Sequence, residues 1–203
     1  MGGIVGVTAV RPFTRHVPDA PAVIAQLPNF ELVDQNNEIF NNESMRGQVN
    51  VVSFFFTSCV TICPKVMAAM KKLQDRYEKM DVPVKLVSIT VDPDNDTPEI
   101  LKAHAEKIGA DLSRWTFLTG KYEAIQGLTV NGFKSHMGQP QVSDAGVMDI
   151  GPGTRLVLVD DNGGIRGNYE TSELGLDEIY HRSRHVLRDL KRHPSCEVVP
   201  YLR

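Results

Sequence analysis

Residues 49–64 read VNVVSFFFTSCVTICP, and this stretch decides the fold. Residues 49–56 form an apolar run of the kind found in strands buried on both faces. Cys59 and Cys63 follow at once in the pattern Cys-x-x-x-Cys-Pro. Pro64 has no N–H to donate, so it suits the first turn of a helix. The two thiols are therefore expected where a buried strand ends and a helix begins. Thiols so placed can close a small disulfide or jointly hold a soft metal ion. Either chemistry needs low thiol pKa values and some exposure, and a helix N-terminus favours the thiolate. A disulfide here would close a five-residue loop, worth only about 2 kcal/mol by chain entropy. Reactivity explains the pair better than stabilisation does; the plain alternative is two buried, inert cysteines.

Outward from this stretch, residues 65–80 read as a helix with Val66, Met67, Met70, Leu73, Tyr77 and Met80 on one apolar face. Residues 84–91 (VKLVSITV) are the next strand, ending in Asp92-Pro93-Asp94-Asn95-Asp96-Thr97-Pro98. Thr97 can cap a helix with Pro98 at its first position, stopped at Gly109. Residues 115–118 form a short strand and 122–128 a short helix. Residues 155–159 are a strand that Asp160-Asp161-Asn162-Gly163-Gly164 turns into 165–169. Residues 176–190 are a closing helix. On the N-terminal side, 30–34 and 38–40 flank Gln35-Asn36-Asn37 as a hairpin, preceded by a proline-bearing extended lead-in over 11–28.

This order predicts an α/β class with a thioredoxin-like fold: a central mixed sheet flanked by helices, with an added N-terminal hairpin. The cysteine pair then lies at a strand C-terminus, where α/β sheets place their sites. The expected division is a lead-in over 1–27, one domain over 28–193 and a tail over 194–203. The chain has 203 residues, 41% apolar and 23% charged, enough for one sizeable core. With a net charge of -3 it lacks the basic excess that nucleic acid requires. Three cysteines are too few for a disulfide framework. The opening MGGIVGVTAV is small and aliphatic but far short of the roughly 20 apolar residues that span a bilayer. It reads either as the remnant of a membrane anchor or as an unstructured terminus.

With these residues in place, the chain resembles the Sco family, also called SenC or PrrC. The likeness covers about residues 28–190. It rests on Phe55-Phe56-Thr57-Ser58-Cys59-Val60-Thr61-Ile62-Cys63-Pro64, on Ser88-Ile89-Thr90-Val91-Asp92-Pro93 with Asp96-Thr97-Pro98, and on Leu156-Val157-Leu158-Val159-Asp160 followed by Gly163. The resemblance implies a thioredoxin-fold protein serving copper assembly of cytochrome c oxidase. It implies a partner that is an oxidase subunit or another periplasmic thiol or copper protein. It also implies an extracytoplasmic, periplasmic location, with an inner-membrane anchor through the N-terminal segment. The family's metal site uses both cysteines and a histidine in the loop before the 156–159 strand. Here that loop reads Asp149-Ile150-Gly151-Pro152-Gly153-Thr154-Arg155, so the histidine slot holds Pro152. His136, sixteen residues back, is either a substitute ligand or a solvated loop histidine. Two thiolates suffice for Cu(I), whereas Cu(II) prefers imidazole and tetragonal geometry, so Cu(I) is favoured. The same dithiol is open to electron transfer and thiol-disulfide oxidoreductase chemistry, with the more exposed Cys59 attacking and Cys63 resolving. The alternative reading is a peroxiredoxin-like thiol peroxidase. It would need a close arginine and a threonine three residues before the peroxidatic cysteine, and position 60, three before Cys63, is valine.

The other candidates have plainer readings. His104 is expected on the surface, pointing away from the cysteine end. His181 and His185 have a metal-compatible i, i+4 spacing but share their helix with Arg182 and Arg184, which suggests a charged solvent face. Asp92, Asp94 and Asp96 lack the glycine and distal glutamate of a calcium loop and read as a turn and cap. Cys196 is read as a surface thiol. The long polar segment 131–153 is expected to be a loop that gates the dithiol.

Overall fold

The computed structural model describes residues 19–60, 62–133, 141–142, 148–149 and 155–192. In chain order its elements are β1 (Ala25–Gln26), β2 (Glu31–Asp34), β3 (Ile39–Asn41), α1 (Asn42–Met45), β4 (Val49–Phe55), α2 (Cys63–Lys79), β5 (Val84–Thr90) and α3 (Pro98–Lys107). These are followed by β6 (Trp115–Thr119), α4 (Tyr122–Gly127) with a π-turn (Leu128–Gly132), β7 (Gln141–Val142), β8 (Met148–Asp149), β9 (Arg155–Val159), β10 (Gly164–Glu170) and α5 (Glu173–Arg192).

The eight-stranded sheet runs β1-β10-β9-β4-β5-β6-β2-β3. As expected of an unbroken apolar run, β4 is central, and all seven of its residues are buried. It pairs parallel with β5, Val49 opposite Val84 through Phe55 opposite Thr90. On its other side it pairs antiparallel with β9. Successive side chains of β4 enter opposite layers. Val49, Val51 and Phe55 pack with α2, α3 and α5 around Met70, Leu73, Leu101 and Ile179. Val52 and Phe54 pack beneath Met45 of α1 and Ile125 of α4. The thioredoxin-like class read from the element order is the architecture observed. The added hairpin β2–β3 joins the far edge through β6.

The local chemistry follows the sequence. The Asp34 carboxylate accepts from the N–H groups of Asn36 and Glu38 and shapes the first hairpin. Thr97 caps α3, its Oγ1 accepting from Ile100 N–H at 3.4 Å. Gly163 takes φ +78° at the β9–β10 turn, a conformation that residues with a Cβ rarely adopt. Three readings differ. Met80, assigned to the apolar stripe, is 56% exposed because α2 ends one residue earlier. Segment 131–153, read as one loop, begins with the end of the π-turn and the buried Phe133, which meets Phe54 edge-on, and contains the antiparallel pair β7–β8; its other residues lie outside the described residues. The lead-in contributes β1, which pairs with β10. Among the described residues no helix is long and apolar enough to cross a membrane.

Candidate dithiol site

Cys63 is the first residue of α2, and Cys59 lies in the loop that joins β4 to it. The N-cap residue, Ile62, has no side chain able to accept a hydrogen bond, so the first N–H groups of α2 need another acceptor. Cys59 supplies one: Cys63 N–H donates to Cys59 Sγ at 3.3 Å. The loop is turned back toward the strand by Cys59 N–H donating to Phe56 O. The chain thus brings the two sulfurs to one helix N-terminus, and no disulfide joins them.

The thiols differ in environment. Cys59 is half-buried, whereas Cys63 is buried at 5% exposure. Burial is the main reason the Cys63 thiol is pushed up to about 12, with the hydrogen bond and charge of Cys59 adding to it and the Phe56 backbone opposing it. The sequence-based expectation of low thiol pKa values is therefore overturned for Cys63: desolvation outweighs the helix N-terminus. The more exposed Cys59 is left as the accessible sulfur.

Both cysteines line a cavity of about 600 Å³ walled by Phe56, Val60, Pro64, Met67 and Ile108, with Lys71 and Lys107 among its lining residues. Val60, 87% exposed, stands beside it as an apolar side chain in water. His104 lines the same cavity, which corrects its reading as a surface histidine. It stacks on Phe55 with ring centroids 5.5 Å apart. Its Nε2 is buried without a hydrogen-bond partner among the described residues. Burial holds its pKa below the usual histidine range, and the nearby Asp96 charge opposes that shift. The missed signal was the period itself: Leu101, His104, Ala105 and Ile108 fall on one helical face.

Asp96 is also more than a turn residue. It is fully buried and accepts from Thr57 N–H at 3.1 Å, from the Thr57 hydroxyl and from the Thr90 hydroxyl. His181 and His185 form no site: His181 is exposed and His185 half-buried among arginines. His136, Pro152 and Cys196 lie outside the described residues. Among the described residues no three of His, Cys, Asp and Glu come together as a metal-binding group.

The family model described as SCO1/SenC matches residues 20–188. The chain belongs to the SCO1/SenC family. A solved SCO1/SenC family lipoprotein from Bacillus anthracis superposes with a TM-score of 0.73 at 31% identity, covering 82% of this chain and 97% of that one. BsSco, a member of the Sco family of cytochrome c oxidase assembly proteins in which a disulfide switch was identified, superposes with a TM-score of 0.71 at 27% identity, covering 83% and 96%. ScoI of Bradyrhizobium japonicum, solved with copper bound, shares the fold with a TM-score of 0.64 at 20% identity, covering 80% and 99%. In this SCO1/SenC chain the cysteine loop occupies the C-terminal edge of the central strand pair β4–β5, with His104 and Asp96 entering from α3 and from the turn before it.

Proposed function

We propose that this chain is an extracytoplasmic Sco-type dithiol protein that carries Cu(I) toward cytochrome c oxidase, exchanges thiols and disulfides with a partner, or does both. The observation that carries this reading is the contact between Cys63 N–H and Cys59 Sγ at the mouth of an apolar cavity. Two soft sulfur donors at one helix N-terminus fit Cu(I) as cargo. Membership in a family with cytochrome c oxidase assembly proteins supports the partner class. The lipoprotein relative supports an extracytoplasmic, membrane-associated setting.

In the exchange reaction, Cys59 as thiolate attacks one sulfur of a partner disulfide, and the partner's other sulfur leaves as thiolate. Cys63 then attacks Cys59 Sγ. The Cys59–partner bond breaks, and the proton of Cys63 ends on the departing partner sulfur. Burial keeps Cys63 protonated until that second step. In the carrier role both thiols lose their protons to solvent as the sulfurs take up the ion, beside the apolar wall of Phe56, Met67 and Ile108. The peroxidase alternative is disfavoured because the residue three before Cys63 is Val60 and the residue three before Cys59 is Phe56, so neither cysteine has the threonine it would need.

The test is anaerobic titration of reduced protein with Cu(I) and with Cu(II), followed by absorption. The expected result is stoichiometric Cu(I) binding, lost in Cys59→Ser and Cys63→Ser, with only a weak Cu(II)–thiolate band that Pro152→His strengthens. An intense, stoichiometric Cu(II) band in the unmodified protein would mean another imidazole serves as ligand. Loss of that band in His136→Ala would identify it.

A further inference from the structure

The Asp96 carboxylate is fully buried and takes part in none of the ion pairs among the described residues. A buried charge of this kind is costly unless hydrogen bonds satisfy it. Among the described residues its three side-chain hydrogen bonds come from neutral donors, and two of these belong to Thr57. Thr57 lies two residues before Cys59, in the loop that leaves β4. The third donor, Thr90, ends β5, and its Oγ1 also accepts from Asp92 N–H at 3.0 Å. Asp96 N–H in turn donates to Asp92 O at 2.9 Å. One carboxylate therefore ties the cysteine loop to the end of the neighbouring strand and to the turn that starts α3.

We infer that Asp96 is a positioning residue for the dithiol, acting through Thr57 to hold Cys59 where its sulfur accepts from Cys63 N–H. This rests on the redox reading of the pair. The clamp matters most in the reduced state. Once a Cys59–Cys63 bond forms, the covalent link itself fixes the loop, and losing the clamp costs the oxidised form less. Breaking the clamp should therefore shift the equilibrium toward the disulfide. The balanced reaction is two thiols plus glutathione disulfide giving one Cys59–Cys63 disulfide plus two glutathione thiols.

The experiment measures that equilibrium constant in glutathione buffers at fixed pH, by mass spectrometry of alkylated protein, for wild type, Thr57→Val, Asp96→Asn and Thr90→Val, with a thermal melt of each. Thr57→Val keeps the shape and the Asp96 charge but removes one donor on the cysteine side. Thr90→Val removes a donor on the far side. The expected result is a shift of at least about tenfold toward the disulfide in Thr57→Val and Asp96→Asn, equivalent to about 30 mV. Thr90→Val should stay within about threefold of wild type, while its melting temperature falls as much as that of Thr57→Val. If Asp96→Asn fails to fold, Thr57→Val decides the matter. A wild type that cycles while Thr57→Val stays within threefold overturns the inference alone. So does a Thr90→Val shift equal to that of Thr57→Val, because the network would then be merely structural. A wild type that forms no Cys59–Cys63 disulfide overturns the redox reading and this inference with it.

Discussion

The division of labour between the two cysteines can be measured through the rate at which Cys63 is alkylated. An ordinary thiol titrating near 9 is about one part in ten ionised at pH 8; Cys63, pushed up to about 12, is ionised about one part in ten thousand. The thiolate is the species that reacts. Folding should therefore slow Cys63 alkylation about a thousandfold relative to the same residue in concentrated urea, before any steric shielding by its 5% exposure is added. The assay is time-resolved iodoacetamide labelling of the reduced protein, with the modified residue located by fragmentation mass spectrometry. The pH profile is a second readout. In the folded protein the Cys63 rate should go on rising about tenfold per pH unit well past 9, where an ordinary thiol levels off. A folded-state rate within tenfold of the unfolded one, or a plateau between pH 8 and 9, would refute burial as the controlling effect at Cys63.

Three further outcomes are expected. Cys63 and Tyr169 are raised to about 12, and Tyr77 is raised also, each mainly by burial, so the folded chain holds these protons more tightly than the unfolded one. Stability should be fully present below about pH 9 and fall as pH rises through the raised values; a flat alkaline denaturation profile up to pH 11 would contradict this. Burial lowers the pKa of His104 and of His185, so stability should fall as pH drops below about 6.5. His104→Phe removes a buried nitrogen that has no hydrogen-bond partner among the described residues and keeps the stack on Phe55. It should shrink the loss of melting temperature between pH 7 and pH 5, and an unchanged pH dependence would count against the buried-imidazole account. Leu158→Ala, at a fully buried position of β9, should cost about 2–5 kcal/mol in urea unfolding.

The fold could be read where one residue pattern dominated. The unbroken run of β4 marks a strand buried on both faces, and Thr97-Pro98 marks a helix start without ambiguity. Neither β1 nor α1 could be read. β1 has two residues and exists only because β10 offers a partner. α1 has four residues held by reciprocal hydrogen bonds between Asn41 and Ser44, without an apolar period long enough to detect. Half of the candidate site could be read as well. The cysteine spacing and Pro64 placed the thiols, because that placement is local. Asp96 could not be found, since its burial depends on Thr57 and Thr90, 39 and 6 residues away in the chain. His104 is legible from its spacing to Leu101 and Ala105, which puts it on the buried face of α3 and not on a face pointing away from the cysteine end. The Cys63 thiol was misjudged because a helix N-terminus is visible in a sequence and the depth of burial around it is not.

The central claim is that Cys59 and Cys63 act as one reactive pair. Its most direct test is mass spectrometry of metal-free protein oxidised in air and then treated with an alkylating agent. The account predicts a Cys59–Cys63 disulfide: a loss of two hydrogens, no label on either residue, and recovery of both labels after reduction. Two freely alkylated thiols at Cys59 and Cys63 in the oxidised, metal-free protein would contradict it.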